Sequence, residues 1–152
     1  SVDFGAGGGF TPVPRDYDGD GRFDLAVYSP ATGLWFVRSS ASGTTTSVGF
    51  GGSVYQPVPG DYDGDGKDDI AVYHKDLGLW FIRQSSLGGA LLTVDFGGGP
   101  GYTPVPADFD SDGKLDLAIY SESTGLWFVK KSTTGATVSE GYGGPGYKPV
   151  FY

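Results

Sequence analysis

The chain of 152 residues has no cysteine, no methionine, one histidine (His74) and two glutamates (Glu122 and Glu140). Without cysteine there is no disulfide staple, no thiolate metal site and no cysteine nucleophile. One histidine and two unrepeated glutamates leave general acid–base chemistry little to draw on, so the chain is not expected to be an enzyme. No Gly-x-Ser-x-Gly elbow is present. The glycine run Gly97–Gly101 is not followed by a helical pattern, so it is no phosphate cradle. No apolar run approaches the ~18 residues of a membrane-spanning helix, and no leader-type segment is visible. The first residue is serine, which fits a processed or excised polypeptide. No basic patch points to nucleic acid. No segment keeps a 3.6-residue apolar period over about ten positions, so essentially no helix is expected.

What remains is 38% hydrophobic and 15% aromatic, too apolar for a disordered segment. With 28 glycines and 10 prolines and no Gly-X-Y period, the composition suits many short strands joined by tight turns. Three segments repeat: Asp16-Tyr-Asp-Gly-Asp-Gly-Arg-Phe-Asp24, Asp61-Tyr-Asp-Gly-Asp-Gly-Lys-Asp-Asp69 and Asp108-Phe-Asp-Ser-Asp-Gly-Lys-Leu-Asp116. Each places carboxylates at loop positions 1, 3, 5 and 9 around a turn glycine, a donor set for a hard cation with six to eight oxygen ligands. Like charges that close repel by roughly 1 kcal/mol per pair even at water-like screening, so a counter-ion is called for and Ca²⁺ leads. Thirteen of the 18 acidic residues lie in these loops, so the net charge of −8 is mostly ligand charge rather than a sign of a basic partner.

The loops stand at one place in a larger repeat. A Pro-Val-Pro segment precedes each loop. Behind it come Asp24–Tyr28, Asp69–Tyr73 and Asp116–Tyr120, then a turn glycine, then Leu34–Arg38, Leu79–Arg83 and Leu126–Lys130. A Ser/Thr/Gly stretch leads to Ser47–Phe50, Thr93–Phe96 and Ser139–Tyr142 and a glycine-rich corner. These short β-branched and aromatic segments, bounded by Gly, Pro or Ser, read as strands. The second strand is apolar on both faces, with Leu25 and Val27 on one and Ala26 and Tyr28 on the other, as in a sheet held between two others. The expected fold is therefore all-β and propeller-like, with three four-stranded blades of about 46 residues in one repeat domain. The repeats run over about 10–54, 55–101 and 102–146. Spare partial strands at 1–9 and 147–152 would pair with further blades of a longer chain or with other copies.

Position 12 of each loop is Val27, Val72 or Ile119, where an EF-hand has glutamate, and no helices flank it. The run Pro-Val-Pro-x-Asp-Tyr-Asp-Gly-Asp-Gly-x-x-Asp-Leu-Ala-Val-Tyr, with Phe50-Gly51, Phe96-Gly97 and the Gly-x-Trp segments, resembles the FG-GAP/VCBS repeat family, calcium-binding propeller blades found in integrin heads, fungal lectins and bacterial secreted proteins. The resemblance implies three structural Ca²⁺ ions. Their ligands would be Asp16, Asp18, Asp20 and Asp24; Asp61, Asp63, Asp65 and Asp69; and Asp108, Asp110, Asp112 and Asp116. The backbone carbonyls of Arg22, Lys67 and Lys114 would add one each.

Trp35, Trp80 and Trp127 invite a sugar-stacking reading, but their shared repeat position favours packing against the next blade. His74 is read as a loop variant. Side chains that differ between modules are the better candidates for contact with a protein or glycan: Tyr55, His74, Lys75, Gln84 and Tyr102. The expected function is a non-enzymatic, extracellular or cell-surface, calcium-stabilised propeller segment supporting recognition or adhesion. A carbohydrate-binding lectin and a self-assembling fibre or sheath subunit are the alternatives.

Overall fold

Prolines at 12, 14, 57, 59, 104 and 106 carry no backbone N–H, so the first strand of each module is held to two or three residues. In the computed structural model, which describes residues 9–150, the three modules form three four-stranded antiparallel sheets. The first contains β1 (Thr11–Pro12), β2 (Leu25–Ser29), β3 (Leu34–Arg38) and β4 (Thr45–Gly49). The second contains β5 (Tyr55–Pro57), β6 (Ile70–His74), β7 (Leu79–Gln84) and β8 (Ala90–Asp95). The third contains β9 (Tyr102–Pro104), β10 (Leu117–Ser121), β11 (Leu126–Lys130) and β12 (Thr137–Gly141). Strands pair in sequence order within each sheet, so every module is a meander. The all-β blade expectation holds, and the three sheets do not close into a ring.

Equivalent pairs recur across the hairpins. Tyr28 lies opposite Trp35, Tyr73 opposite Trp80 and Tyr120 opposite Trp127, with ring centroids 4.9, 5.1 and 5.0 Å apart. Each indole Nε1–H donates to the carbonyl that follows the fourth strand: Phe50 at 2.8 Å, Phe96 at 2.6 Å and Tyr142 at 2.9 Å. The tryptophan thus fixes the blade's last strand while its ring fills the space between blades. Trp35 and Trp80 are fully buried, as the packing reading requires.

Two apolar clusters bind the sheets to one another. Val13, Tyr28, Trp35 and Val37 of the first sheet enclose Val72 of the second, with Ile70 and Phe81 against them. Val58, Tyr62, Tyr73, Trp80 and Ile82 of the second sheet enclose Leu117 and Ile119 of the third, with Leu115 and Phe128 alongside. Packing between two neighbouring sheets is therefore real for β6, whereas β10 sets Leu117 and Ile119 against the second sheet and buries Tyr120 on its other face against Trp127 of its own sheet. In β2, Ala26 and Tyr28 are buried on one face, while on the other Leu25 is exposed and Val27 half-buried.

Details depart from the sequence reading. The fourth strands start earlier than expected, because hydrogen-bonded pairing extends to Arg38↔Thr45 and Lys130↔Thr137. The aromatic residue after each lies outside the strand, where its carbonyl meets the indole. One 3-10 turn, Ser85–Leu87, forms in the β7–β8 connection and ends on Gly88 at φ 65°. Residues 1–8 and 151–152, which hold most of the expected spare strands, lie outside the described residues; Tyr147–Val150 form no strand.

Candidate metal centres

The ninth-position aspartate pairs with the residue just before the loop (Arg15↔Asp24, Gly60↔Asp69, Ala107↔Asp116), which closes the loop's base. Asp24, Asp69 and Asp116 are buried. Each carboxylate accepts two backbone N–H groups. One oxygen takes Tyr17, Tyr62 or Phe109 of its own loop (2.9, 3.1 and 2.9 Å). The other takes Ser40, Ser85 or Ser132, at the start of the hairpin between third and fourth strands, at 2.7 Å in every case. One side chain so ties the Asp loop to the far hairpin.

The first-position carboxylate accepts N–H groups from inside the loop. Asp16 takes those of Gly19, Asp20 and Gly21, and Asp61 those of Gly64 and Gly66. This wraps the loop around a carboxylate, which requires positive φ at the glycines (80° at Gly19, 83° at Gly21). In the third loop, Ser111 holds the fourth position at φ 60°.

Carboxylate oxygens of positions 1, 3 and 9 converge. In Asp16/Asp18/Asp24, Asp61/Asp63/Asp69 and Asp108/Asp110/Asp116, one oxygen from each residue lies within 4.8 Å of the others. Oxygens about 2.4 Å from one Ca²⁺ can be at most about 4.8 Å apart, so each triad fits around such an ion. One carboxylate oxygen of Asp110 is buried without a hydrogen-bond partner, as a ligand atom would be. All-oxygen donors, three of them anionic, match a hard cation and not a soft one.

The fifth-position aspartates stand outside these triads. Asp20, Asp65 and Asp112 accept from the backbone N–H of Arg22, Lys67 and Lys114 at 2.8 Å. They also accept from the hydroxyls of Ser40, Ser85 and Ser132 at 2.7, 2.8 and 2.6 Å. Hydroxyls from the same hairpin hold the third position: Ser39 to Asp18, Ser86 to Asp63 and Thr133 to Asp110. The Ser39 hydroxyl holds Asp18 below the ordinary carboxylate range, and the Ser132 hydroxyl does the same for Asp112. Burial pushes Asp69 up against the N–H bonds of Ser85 and Tyr62. These serines and threonines are the functional residues that reading the sequence missed. Their signal was a serine at one shared place in all three modules (Ser40, Ser85, Ser132) with a second hydroxyl directly before or after it (Ser39, Ser86, Thr133), inside a stretch taken for a plain connector.

Neighbouring loops also touch. Lys67 reaches back so that a Cβ on Gly19 would sit 2.9 Å from its Cγ, and Lys114 reaches Gly64 likewise, its Cε 2.9 Å from such a Cβ. The predicted ligand-contact residues do not form one site. Tyr55 and Lys75 line an open concavity of about 950 Å³, together with the Pro-Val-Pro segments of all three modules and Gln56. His74 stacks edge-on to Tyr55 at 4.9 Å, and its Nδ1 accepts from Leu77 N–H. Tyr102 packs on Phe128, and Gln84 lies at the far end of β7.

Residues 16–72, a little over a third of the chain, match the family model of the FG-GAP-like repeat. The match runs from the first Asp loop through the second strand of the second module, and the third module repeats the same loop and strand order. No curated protein and no solved structure matches the chain.

Proposed function

Starting from a chain whose residues 16–72 are an FG-GAP-like repeat, we propose that it is a non-enzymatic, calcium-stabilised propeller-type segment that presents a recognition surface outside the cell. The observation that carries this reading is the threefold convergence of aspartates at positions 1, 3 and 9. Asp16, Asp18 and Asp24, with their counterparts in the other two loops, would hold the ions. Bound Ca²⁺ supplies charge neutralisation and cross-linking and no chemistry on a substrate. The residues' own part is to close the loop on itself through the first aspartate and to fasten it to the far hairpin through the ninth. Placement outside the cell follows from the supply of Ca²⁺ there. No helix among the described residues is long and apolar enough to cross a membrane.

The concavity formed by the Pro-Val-Pro segments favours a lectin as the second reading, since it sets Tyr55 beside the hydrogen-bonding side chains of Gln56 and Lys75. Labelled chain applied to a glycan array and to a panel of extracellular-matrix proteins, with calcium and with EDTA, tests both readings. Calcium-dependent capture that Lys75→Ala weakens at unchanged melting temperature supports recognition, and the panel that captures decides between protein and glycan. No capture on either panel by folded, calcium-loaded protein counts against both.

A further inference from the structure

The two blade-to-blade joints inside the chain are built alike, and each end of the arc carries one half of a third. At the first joint, Asp68 N–H donates to the Asp16 carbonyl at 2.8 Å; at the second, Leu115 N–H donates to the Asp61 carbonyl at 2.8 Å. The repeat places Phe23 and Asp108 at these positions, and among the described residues neither that N–H nor that carbonyl has a backbone partner.

The side chains across each joint are matched. Asp68 sits beside Arg15, whose charge acts on its carboxylate against the effect of burial. Leu115 sits on Gly60, where an added Cβ would overlap its Cδ1. At the open ends the corresponding pair is Phe23, 65% exposed, and the small apolar Ala107. A small residue facing a large one follows the second joint and leaves no buried charge to compensate.

The remaining faces agree. Tyr62 is buried under the third blade, but its counterpart Phe109 is 45% exposed, and Trp127 is half-buried where Trp35 and Trp80 are fully buried. Phe109, Trp127, Val129 and Val138, together with Lys131 and Glu140, line a mostly apolar concavity of about 480 Å³. On the other end of the arc, Leu25 is 57% exposed, whereas its counterpart Leu117 is buried in the second joint. Arg83 lies 5.8 Å over the Phe50 ring across the first joint, and the repeat offers Arg38 and the exposed Tyr142 for the same contact.

We propose that the uncovered face of the third blade receives the first blade of a second copy of this chain, and that two copies close a six-bladed ring. Propellers close with roughly four to eight blades. One copy brings three blades and falls short, three copies overshoot, and two copies fit. Such a contact is heterologous, and a ring rather than an open series requires that the rotation from blade to blade bring the sixth blade back onto the first.

Light scattering on the 152-residue chain in calcium buffer tests this. The expected particle is twice 15.9 kDa. Leu25→Arg and Phe109→Arg each alter a residue exposed in the single chain, so both variants should keep the native circular dichroism. Each places an unpaired charge in both joints of the ring and should raise the dissociation constant by about 100-fold or more. Mixed in equal amounts, the two variants should regain a two-copy particle, weaker than the native ring, through the one joint whose faces are both native. A monomeric wild type overturns the proposal, and is the result expected if further blades of a longer polypeptide cover this face. An open series of larger species overturns it as well, as do folded variants that stay dimeric or a mixture that does not recover.

Discussion

The Tyr28 hydroxyl accepts from Gly52 N–H at 2.8 Å and donates to the Gly52 carbonyl at 3.0 Å. Tyr120 makes the same two bonds to Gly144 at 3.2 and 3.5 Å, while the Tyr73 hydroxyl is buried with no partner. All three rings fill one position against a tryptophan, so only the hydroxyl differs between them. Tyr28→Phe removes two bonds and should cost about 1–2 kcal/mol. Tyr73→Phe removes a buried polar atom that nothing satisfies, and should leave stability unchanged or raise it by up to about 1 kcal/mol. Denaturant midpoints of the two variants check the contrast, and equal losses would mean that Tyr73 has a partner after all. The shared position was legible from the repeat. The difference was not, since it depends on how each glycine corner sits over the ring.

Each Asp loop is held by one buried carboxylate reaching two segments, so loop and hairpin behave as one element. Ca²⁺ needs its carboxylate ligands ionised, whereas burial raises the pKa of Asp69 in the metal-free fold. The sign follows from that. Because Asp69 binds its proton more tightly in the metal-free fold than unfolded, its ionisation there disfavours folding as pH rises from the ordinary carboxylate range through the raised value. Bound Ca²⁺ reverses the preference. The rise in melting temperature on adding calcium should therefore be largest near neutral pH and shrink as pH falls toward the carboxylate range, reaching the second loop above the ordinary carboxylate pKa. Calorimetric titration at neutral pH should find three calcium ions in the native chain and two in Asp61→Ala. Three ions in that variant would remove Asp61 from the ligand set. Asp at positions 1, 3, 5 and 9 was readable as a candidate cation loop because the spacing is local. The split between the converging triads and the serine-bound Asp20, Asp65 and Asp112 was not, since it rests on hydroxyls 20 residues away.

Over the whole molecule, the middle blade is packed on both faces and the outer two on one each. Stability in such an array is close to a sum of module terms and nearest-neighbour joints. Three cation sites that exist only in the folded state should each add roughly 2.7 kcal/mol at a hundredfold excess of Ca²⁺ over its dissociation constant. Thermal melts with calcium and with EDTA measure the total, and an unchanged midpoint would remove the structural role of the metal. Chelation should also weaken the joints, because Asp16 and Asp61 supply both a carboxylate of the candidate cation triad and the carbonyl that receives the next blade.

The sequence by itself determined the strands, the module length and the three Asp loops. Each of these is written in local order: runs of about five β-branched and aromatic residues, proline at the first strand, carboxylates two apart around a glycine. It also determined the burial of Trp35 and Trp80, because a ring at a fixed place in every module has the next module to pack against. Only the tertiary structure decided which faces stay open. Leu25 and Leu117 sit at one repeat position, as do Tyr62 and Phe109, yet one of each pair is buried and the other exposed. The difference lies not in the residue but in whether a neighbouring blade stands over it, and that is a property of the array, which no single module encodes.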